Sequence, residues 1–135
     1  MTGNGRLIDD RPEDGIFRVN RTAFTDPALF EREVDAIFDR CWLYLCHESQ
    51  IPNHGDYVAT RMGRHPVFVI RGRDGGLNCF YDACSHRGSR LTARTSGNAK
   101  TLVCRYHGWC FNAEGACTLV RGRDEAYLEH DLDRL

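Results

Sequence analysis

Two short segments constrain this 135-residue chain more than anything else in it: Cys84-Ser85-His86 and Cys104-Arg105-Tyr106-His107. Each offers one thiolate and one imidazole, and seventeen residues lie between His86 and Cys104. Thiolates and imidazoles at such short spacing are metal-ligand material. Two half-sites this far apart in sequence require a fold that brings two loop tips together. The chain holds seven cysteines, and Met1 to Asn20 is polar, with Asp9, Asp10, Glu13 and Asp14 in place of an apolar signal core. Reduced thiols, metal ligation and a cytoplasmic location are therefore expected rather than disulfides.

Two Cys and two His divided into two mixed pairs form the ligand set of a Rieske [2Fe–2S] centre, with both Cys on one iron and both His on the other. Two ferric ions, two sulfides and two thiolates cancel in charge, so the oxidised core is neutral and accepts an electron more readily than an all-Cys core. Such centres lie at roughly −150 to +300 mV, against about −400 mV for plant-type ferredoxins. Gly88 and Gly108 follow the two half-sites, where glycine permits tight turns and close approach of backbone N–H groups to sulfur. The competing assignment is zinc, which takes the same donors. Zinc sites favour Cys-x2–4-Cys knuckles, however, and Cys104-x2-His107-x2-Cys110 has no matching half-site nearby. Cys41, Cys46, Cys79, Cys110 and Cys117 read as buried or half-buried thiols, and His47, His54, His65 and His130 as isolated residues.

Thr25-Asp26-Pro27 starts a helix, with Asp26 as the cap and Pro27 at the first position, where its missing N–H costs little. Phe30, Val34, Ile37, Phe38 and Cys41 then recur at helical spacing, which predicts a helix over about Pro27 to Arg40 with one apolar face in need of a partner. Short strands follow: Trp42–Leu45, Tyr57–Met62, Val67–Arg71, Leu77–Tyr81, Leu102-Val103 and Cys117–Val120. Turns are expected at Pro52–Gly55, near Gly63, at the hairpin signal Arg73-Asp74-Gly75-Gly76, and at Asn112–Gly115. Leu91 to Lys100, rich in Ser, Thr, Gly and Asn, reads as a loop. The predicted fold is mainly β, an antiparallel β-sandwich preceded by an α-helix. Its boundaries are an N-terminal extension and helix over 1–41 and the metal-binding domain over 42–135.

The net charge of −1 conceals segregation. Met1 to Thr60 holds eleven acidic and six basic residues, whereas Arg61 to Arg105 holds nine basic ones with only Asp74 and Asp82 acidic. The basic stretch contains the candidate ligands and suits an acidic redox partner. It lacks the interleaved aromatic and basic pattern of a nucleic-acid module. No apolar run approaches the ~20 residues of a membrane span, and no glycine-rich dinucleotide loop is present.

Cys84-Ser85-His86-Arg87-Gly88 and Cys104-Arg105-Tyr106-His107-Gly108-Trp109 closely resemble the Rieske signature of bacterial aromatic-ring-hydroxylating oxygenases. Ile37-Phe38 through Trp42, His47 to Ile51, Gly55-Asp56-Tyr57 and Gly97-Asn98-Ala99-Lys100 resemble the N-terminal region of their large (α) subunits, especially of naphthalene-, biphenyl- or salicylate-type enzymes. The resemblance runs from about Phe24 to Val120. It implies one [2Fe–2S] cluster, with Cys84 and Cys104 on one iron and His86 and His107 on the other. Trp109 would pack beside the cluster and exclude water, and Arg87 would lie near it. The implied partners are a ferredoxin and an NAD(P)H-dependent reductase, then an aromatic substrate and O2 at a mononuclear Fe(II), in an α3 or α3β3 assembly. Respiratory Rieske proteins carry two further cysteines where this chain has Ser89 and Tyr106. No bridging disulfide can form, and a potential low in the Rieske range is expected.

The resemblance stops short of catalysis. Mononuclear iron of that kind needs two His and a carboxylate, and His130 is the only His after His107. The catalytic iron site is therefore expected outside this chain, which reads as a fragment carrying the electron-transfer part of the enzyme. Two alternatives stay open at this point: a free-standing Rieske ferredoxin and a zinc-stabilised binding module.

Overall fold

The computed structural model describes residues 7–122 and 135, and the chain divides between Trp42 and Leu43 into two compact units. His130, among the isolated histidines, lies outside the described residues.

The first unit begins with a hairpin, β1 (Ile8–Arg11) paired antiparallel with β2 (Ile16–Val19). A short helix α1 (Thr22–Thr25) leads to α2 (Pro27–Glu33). Asp26 caps α2 as expected: its carboxylate accepts from the N–H groups of Ala28 (2.8 Å) and Leu29 (3.3 Å), and Pro27 occupies the first turn. The helix does not continue as α to Arg40. Val34–Phe38 form a π turn, in which the Asp39 N–H reaches back five residues to the Val34 carbonyl at 2.9 Å. A π turn inserts one residue into the helical register, so Ile37, Phe38 and Cys41 leave the stripe begun by Phe30 and Val34. Val34 is buried, whereas Phe30, Ile37 and Phe38 remain exposed.

The second unit holds two antiparallel sheets. β3 (Asp56–Met62), β4 (His65–Arg71), β5 (Leu77–Tyr81) and β6 (Ser96–Asn98) form a four-stranded sheet in the order β5-β4-β3-β6. β7 (Thr101–Val103), β8 (Cys110–Asn112) and β9 (Cys117–Leu119) form the other in sequential order. The period-2 alternation of strands decides which residues face inward. Tyr57 and Ala59 of β3 pair with Ile70 and Phe68 of β4, and these four enter one core with Leu102 of β7 and Phe111 of β8. The two sheets thus make a sandwich, with Cys84, Cys104 and Trp109 in the same buried cluster. Cross-sheet hydrogen bonds pin the far end: Glu114 accepts from the Arg73 N–H at 2.8 Å, and Asn78 Nδ2 donates to the Ala113 carbonyl at 3.1 Å.

Two expectations about strands need correction. Trp42–Leu45 joins no ladder; Leu43 and Leu45 are half-buried and Tyr44 exposed, so the alternation is present without a strand partner. The expected loop over Leu91 to Lys100 contains β6, which pairs antiparallel with β3. Ser96, Gly97 and Asn98 are all exposed and carry no apolar pattern. Tertiary contacts hold this strand in place: Asn98 Nδ2 donates to the His54 carbonyl (2.9 Å) and to Asp56 Oδ1 (2.8 Å). Among the described residues no helix is long and apolar enough to cross a membrane.

Candidate metal centre

The two half-sites occupy loops of the same design. In the first, the Cys84 N–H donates to the Ser89 carbonyl (2.8 Å) and the Gly88 N–H to the Cys84 carbonyl (2.7 Å). In the second, the Cys104 N–H donates to the Trp109 carbonyl (2.8 Å) and the Gly108 N–H to the Cys104 carbonyl (2.9 Å). Gly88 (φ 68°) and Gly108 (φ 72°) sit at the same left-handed step, which any L side chain would strain. The second loop is the closed end of the β7–β8 hairpin, whose last paired residues are Val103 and Cys110. Its His stands one residue later than in the first loop, at the third position after the Cys instead of the second.

This geometry brings the four candidate donors together. Cys84 and Cys104 are each 2% exposed, and their thiols hydrogen-bond to one another. The N–H groups of His86 and Arg87 point at the Cys84 sulfur, and those of Tyr106 and His107 at the Cys104 sulfur. Burial raises the Cys84 thiol above its ordinary range despite its N–H donors. Burial works in the same direction on Cys104, but there the Tyr106 and His107 N–H groups, the Cys84 thiol and the Ser89 side chain outweigh it and hold the group low. Of the two sulfurs, Cys104 is the more readily deprotonated, and the thiolate is the form that binds metal.

The imidazoles of His86 and His107 meet edge to face with centroids 4.7 Å apart. His107 Nδ1 is buried without a hydrogen-bond partner, and His86 Nδ1 is buried beside it. Desolvation holds the His86 imidazole below its ordinary pKa, with help from the charges of His107 and Arg87. A neutral imidazole with a buried ring nitrogen is the ligating form. The indole of Trp109, 1% exposed, lies flat on His86 at 4.7 Å and 5°. Tyr106 packs against His107 at 3.8 Å and leaves its other face exposed. Arg87 is exposed on the first loop.

Residues 41–128 match the Rieske [2Fe-2S] domain family. The chain belongs to that family. The chain is 43% identical over 94% of its length to the anthranilate 1,2-dioxygenase large subunit of Acinetobacter baylyi, covering 26% of that protein. The toluate 1,2-dioxygenase subunit alpha of Pseudomonas putida is 48% identical over 85% of this chain, again covering a quarter of the relative (25%). Among solved structures, naphthalene 1,2-dioxygenase from Rhodococcus sp. bound to indole superposes with a TM-score of 0.80 at 32% identity, over 87% of this chain and 27% of that one. The chain therefore spans about a quarter of the length of the curated relatives it matches.

Several residues around the Rieske site escaped sequence reasoning. The sequence marks the position of Ser89, but not that its side chain acts on the cysteine of the second loop. The Arg121 side chain lies over Gly108, its Nε 3.4 Å from where a Cβ would stand. Asp82 is buried two residues before Cys84. None carries a motif, since each reaches the site only through the tertiary fold. The other histidines have local roles: His47 caps a 3-10 turn by accepting from the Ser49 N–H, and His65 makes an edge contact with Tyr81. Of the five spare cysteines, Cys46, Cys110 and Cys117 are half-buried as expected, whereas Cys41 and Cys79 are exposed. Cys41 lies just past the π turn, and Cys79 alternates along β5 with the half-buried Asn78 and Phe80.

Proposed function

We propose that Cys84 and Cys104 hold one iron of a [2Fe–2S] cluster, that His86 and His107 hold the other, and that the domain relays electrons within an aromatic-ring-hydroxylating oxygenase α subunit. One observation carries the ligand assignment: two buried free thiols that interact with each other share a core cluster with Trp109, which stacks on the first of two contacting imidazoles, and His107 Nδ1 is buried and unpartnered. The donors pair by type, sulfur with sulfur and ring with ring. Tetrahedral zinc needs four donors on one point, so this sorting favours a two-iron core over the zinc module. The relatives' names, large and alpha subunits of dioxygenases, favour an oxygenase component over a free-standing ferredoxin.

When bound, the cluster supplies one-electron chemistry at a potential raised by its two neutral ligands. The chain's residues do the remainder. Backbone N–H groups of His86, Arg87, Tyr106 and His107 hold sulfur charge in place. Trp109 keeps water from the His86 side. Arg87 sets a positive charge at the first loop. The electron donor is a ferredoxin served by an NAD(P)H-dependent reductase. The acceptor is a mononuclear Fe(II) held by parts of the enzyme outside this chain, where O2 meets an aromatic ring, in an α3 or α3β3 assembly. Residues 1–41 form an extension and 42–135 the electron-transfer domain.

Chemical analysis tests this reading. The purified chain should contain iron and acid-labile sulfide in equal amounts and give a mixed His/Cys EPR signal on reduction. A colourless protein with one zinc and no sulfide would overturn it.

A further inference from the structure

The two ligand loops are built alike but anchored differently. The second is closed at both ends by the β7–β8 ladder. The first starts from β5, but its exit, residues 90–94, joins no strand, and only then does the Thr95 carbonyl accept from the Ala59 N–H of β3 at 2.8 Å. A single side chain stands where a ladder would. Asp82 is 2% exposed, and its own N–H is tied to the Pro66 carbonyl at 2.9 Å. Its Oδ1 accepts from the N–H groups of Leu91 (3.0 Å) and Thr92 (2.9 Å). Its Oδ2 accepts from Arg90 Nε (2.7 Å) and from the Thr92 hydroxyl. Leu91 and Thr92 are both buried, so these N–H groups have the carboxylate as their partner in place of water. Leu91 belongs to the same core cluster as Cys84, Cys104 and Trp109.

We propose that Asp82 is a positioning residue of the electron-transfer centre. Its carboxylate clamps the start of the first ligand loop to its exit and so sets the reach of Cys84 and His86 toward the second loop. The inference rests on the cluster reading above and adds to it a residue that touches no ligand atom. Asn can keep the clamp, because its amide oxygen accepts both N–H groups and its amide nitrogen can donate to the Thr92 hydroxyl; only the Arg90 bond is lost. Ala keeps none of it.

The test uses the full chain with its cluster, as D82A and D82N. In D82A the reduced EPR line shape and the midpoint potential should shift, and chelator-driven cluster loss should quicken at least about tenfold, since the buried Leu91 and Thr92 N–H groups both lose their acceptor and one such loss represents about that factor. D82N should restore all three toward the unaltered protein. A D82A protein that melts earlier but keeps the original line shape, potential and loss rate would reduce Asp82 to a structural role and overturn the proposal. So would a D82N protein indistinguishable from D82A, since charge and not position would then be responsible. Should D82A fail to fold, Thr92→Val is read in its place: it removes one donor and keeps the N–H pair. A shifted line shape in folded T92V supports the clamp, and an unchanged one overturns it. An unaltered chain lacking any iron–sulfur signal would overturn the cluster reading and this inference with it. An unaltered chain with the signal and an indifferent D82A would overturn the clamp alone.

Discussion

The imidazole of His86 lies parallel to the indole of Trp109, 4.7 Å away, so a candidate ligand on one loop is covered by the residue that closes the other. Trp109 is also part of the sandwich core. Its removal should therefore act on stability and on the metal centre together. Trp109→Ala is expected to cost about 3–5 kcal/mol, as for other large buried aromatics, and to admit water beside His86. Trp109→Phe should lose less of both. Denaturant melts and the rate of cluster loss to a chelator, measured on both variants, check this; equal loss rates in W109A and the unaltered chain would separate Trp109 from the site.

The Ser89 side chain, on the first loop, helps to hold the Cys104 thiol of the second loop low. A hydroxyl donated to a cysteine sulfur withdraws negative charge and favours the reduced state. Ser89→Ala should lower the midpoint potential by an amount on the order of tens of mV, the one-electron equivalent of one net hydrogen bond. Spectroscopic redox titration gives the value, and an unchanged midpoint would contradict the role.

Asp56 titrates below the ordinary carboxylate range, chiefly through the Asn98 side chain and also through the Asn53 N–H and amide, with burial acting weakly against them. A carboxyl lowered on folding contributes stability that is fully present above its unfolded pKa, about 3.9, and is lost as pH falls through the folded value. Asp56→Asn should flatten the acid limb of the stability profile below about pH 4 and leave its neutral plateau less affected by further acid. Urea midpoints measured from pH 7 down to the acid transition would show this. A parallel pair of profiles would contradict it.

Gly75 and Gly115 share a φ of 82° but not their surroundings. A Cβ on Gly75 would meet nothing within 4 Å, whereas one on Gly115 would stand 2.6 Å from the Phe80 ring. Gly75→Ala should cost the backbone strain alone, about 1–2 kcal/mol. Gly115→Ala adds an overpacking cost of about 1–3 kcal/mol. Urea melts on the two variants measure the difference, and equal midpoints would place Phe80 elsewhere.

The parts legible in the sequence are those where one residue type answers a local demand. Asp26-Pro27 announces a helix start, Asp74-Gly75 a hairpin, and Gly88 and Gly108 the left-handed steps that close the ligand loops. The candidate ligand pairs stand out because thiol and imidazole at that spacing have few other uses. What stayed hidden depends on distant partners. β6 is three polar residues made a strand by β3, and the π turn at Val34–Phe38 leaves no compositional mark. The β1–β2 hairpin is short, with one half-buried residue on each strand. Asp82 looks like an ordinary polar residue until the fold closes around it.

The central claim is that the two irons of one core have different ligands, sulfur on one and nitrogen on the other. Mössbauer spectroscopy of the reduced, iron-57-enriched chain tests it most directly. The account predicts two inequivalent irons in equal amounts: a ferric site of thiolate character and a ferrous site of imidazole character. Two sites of matching thiolate character, or a single mononuclear species, would contradict it.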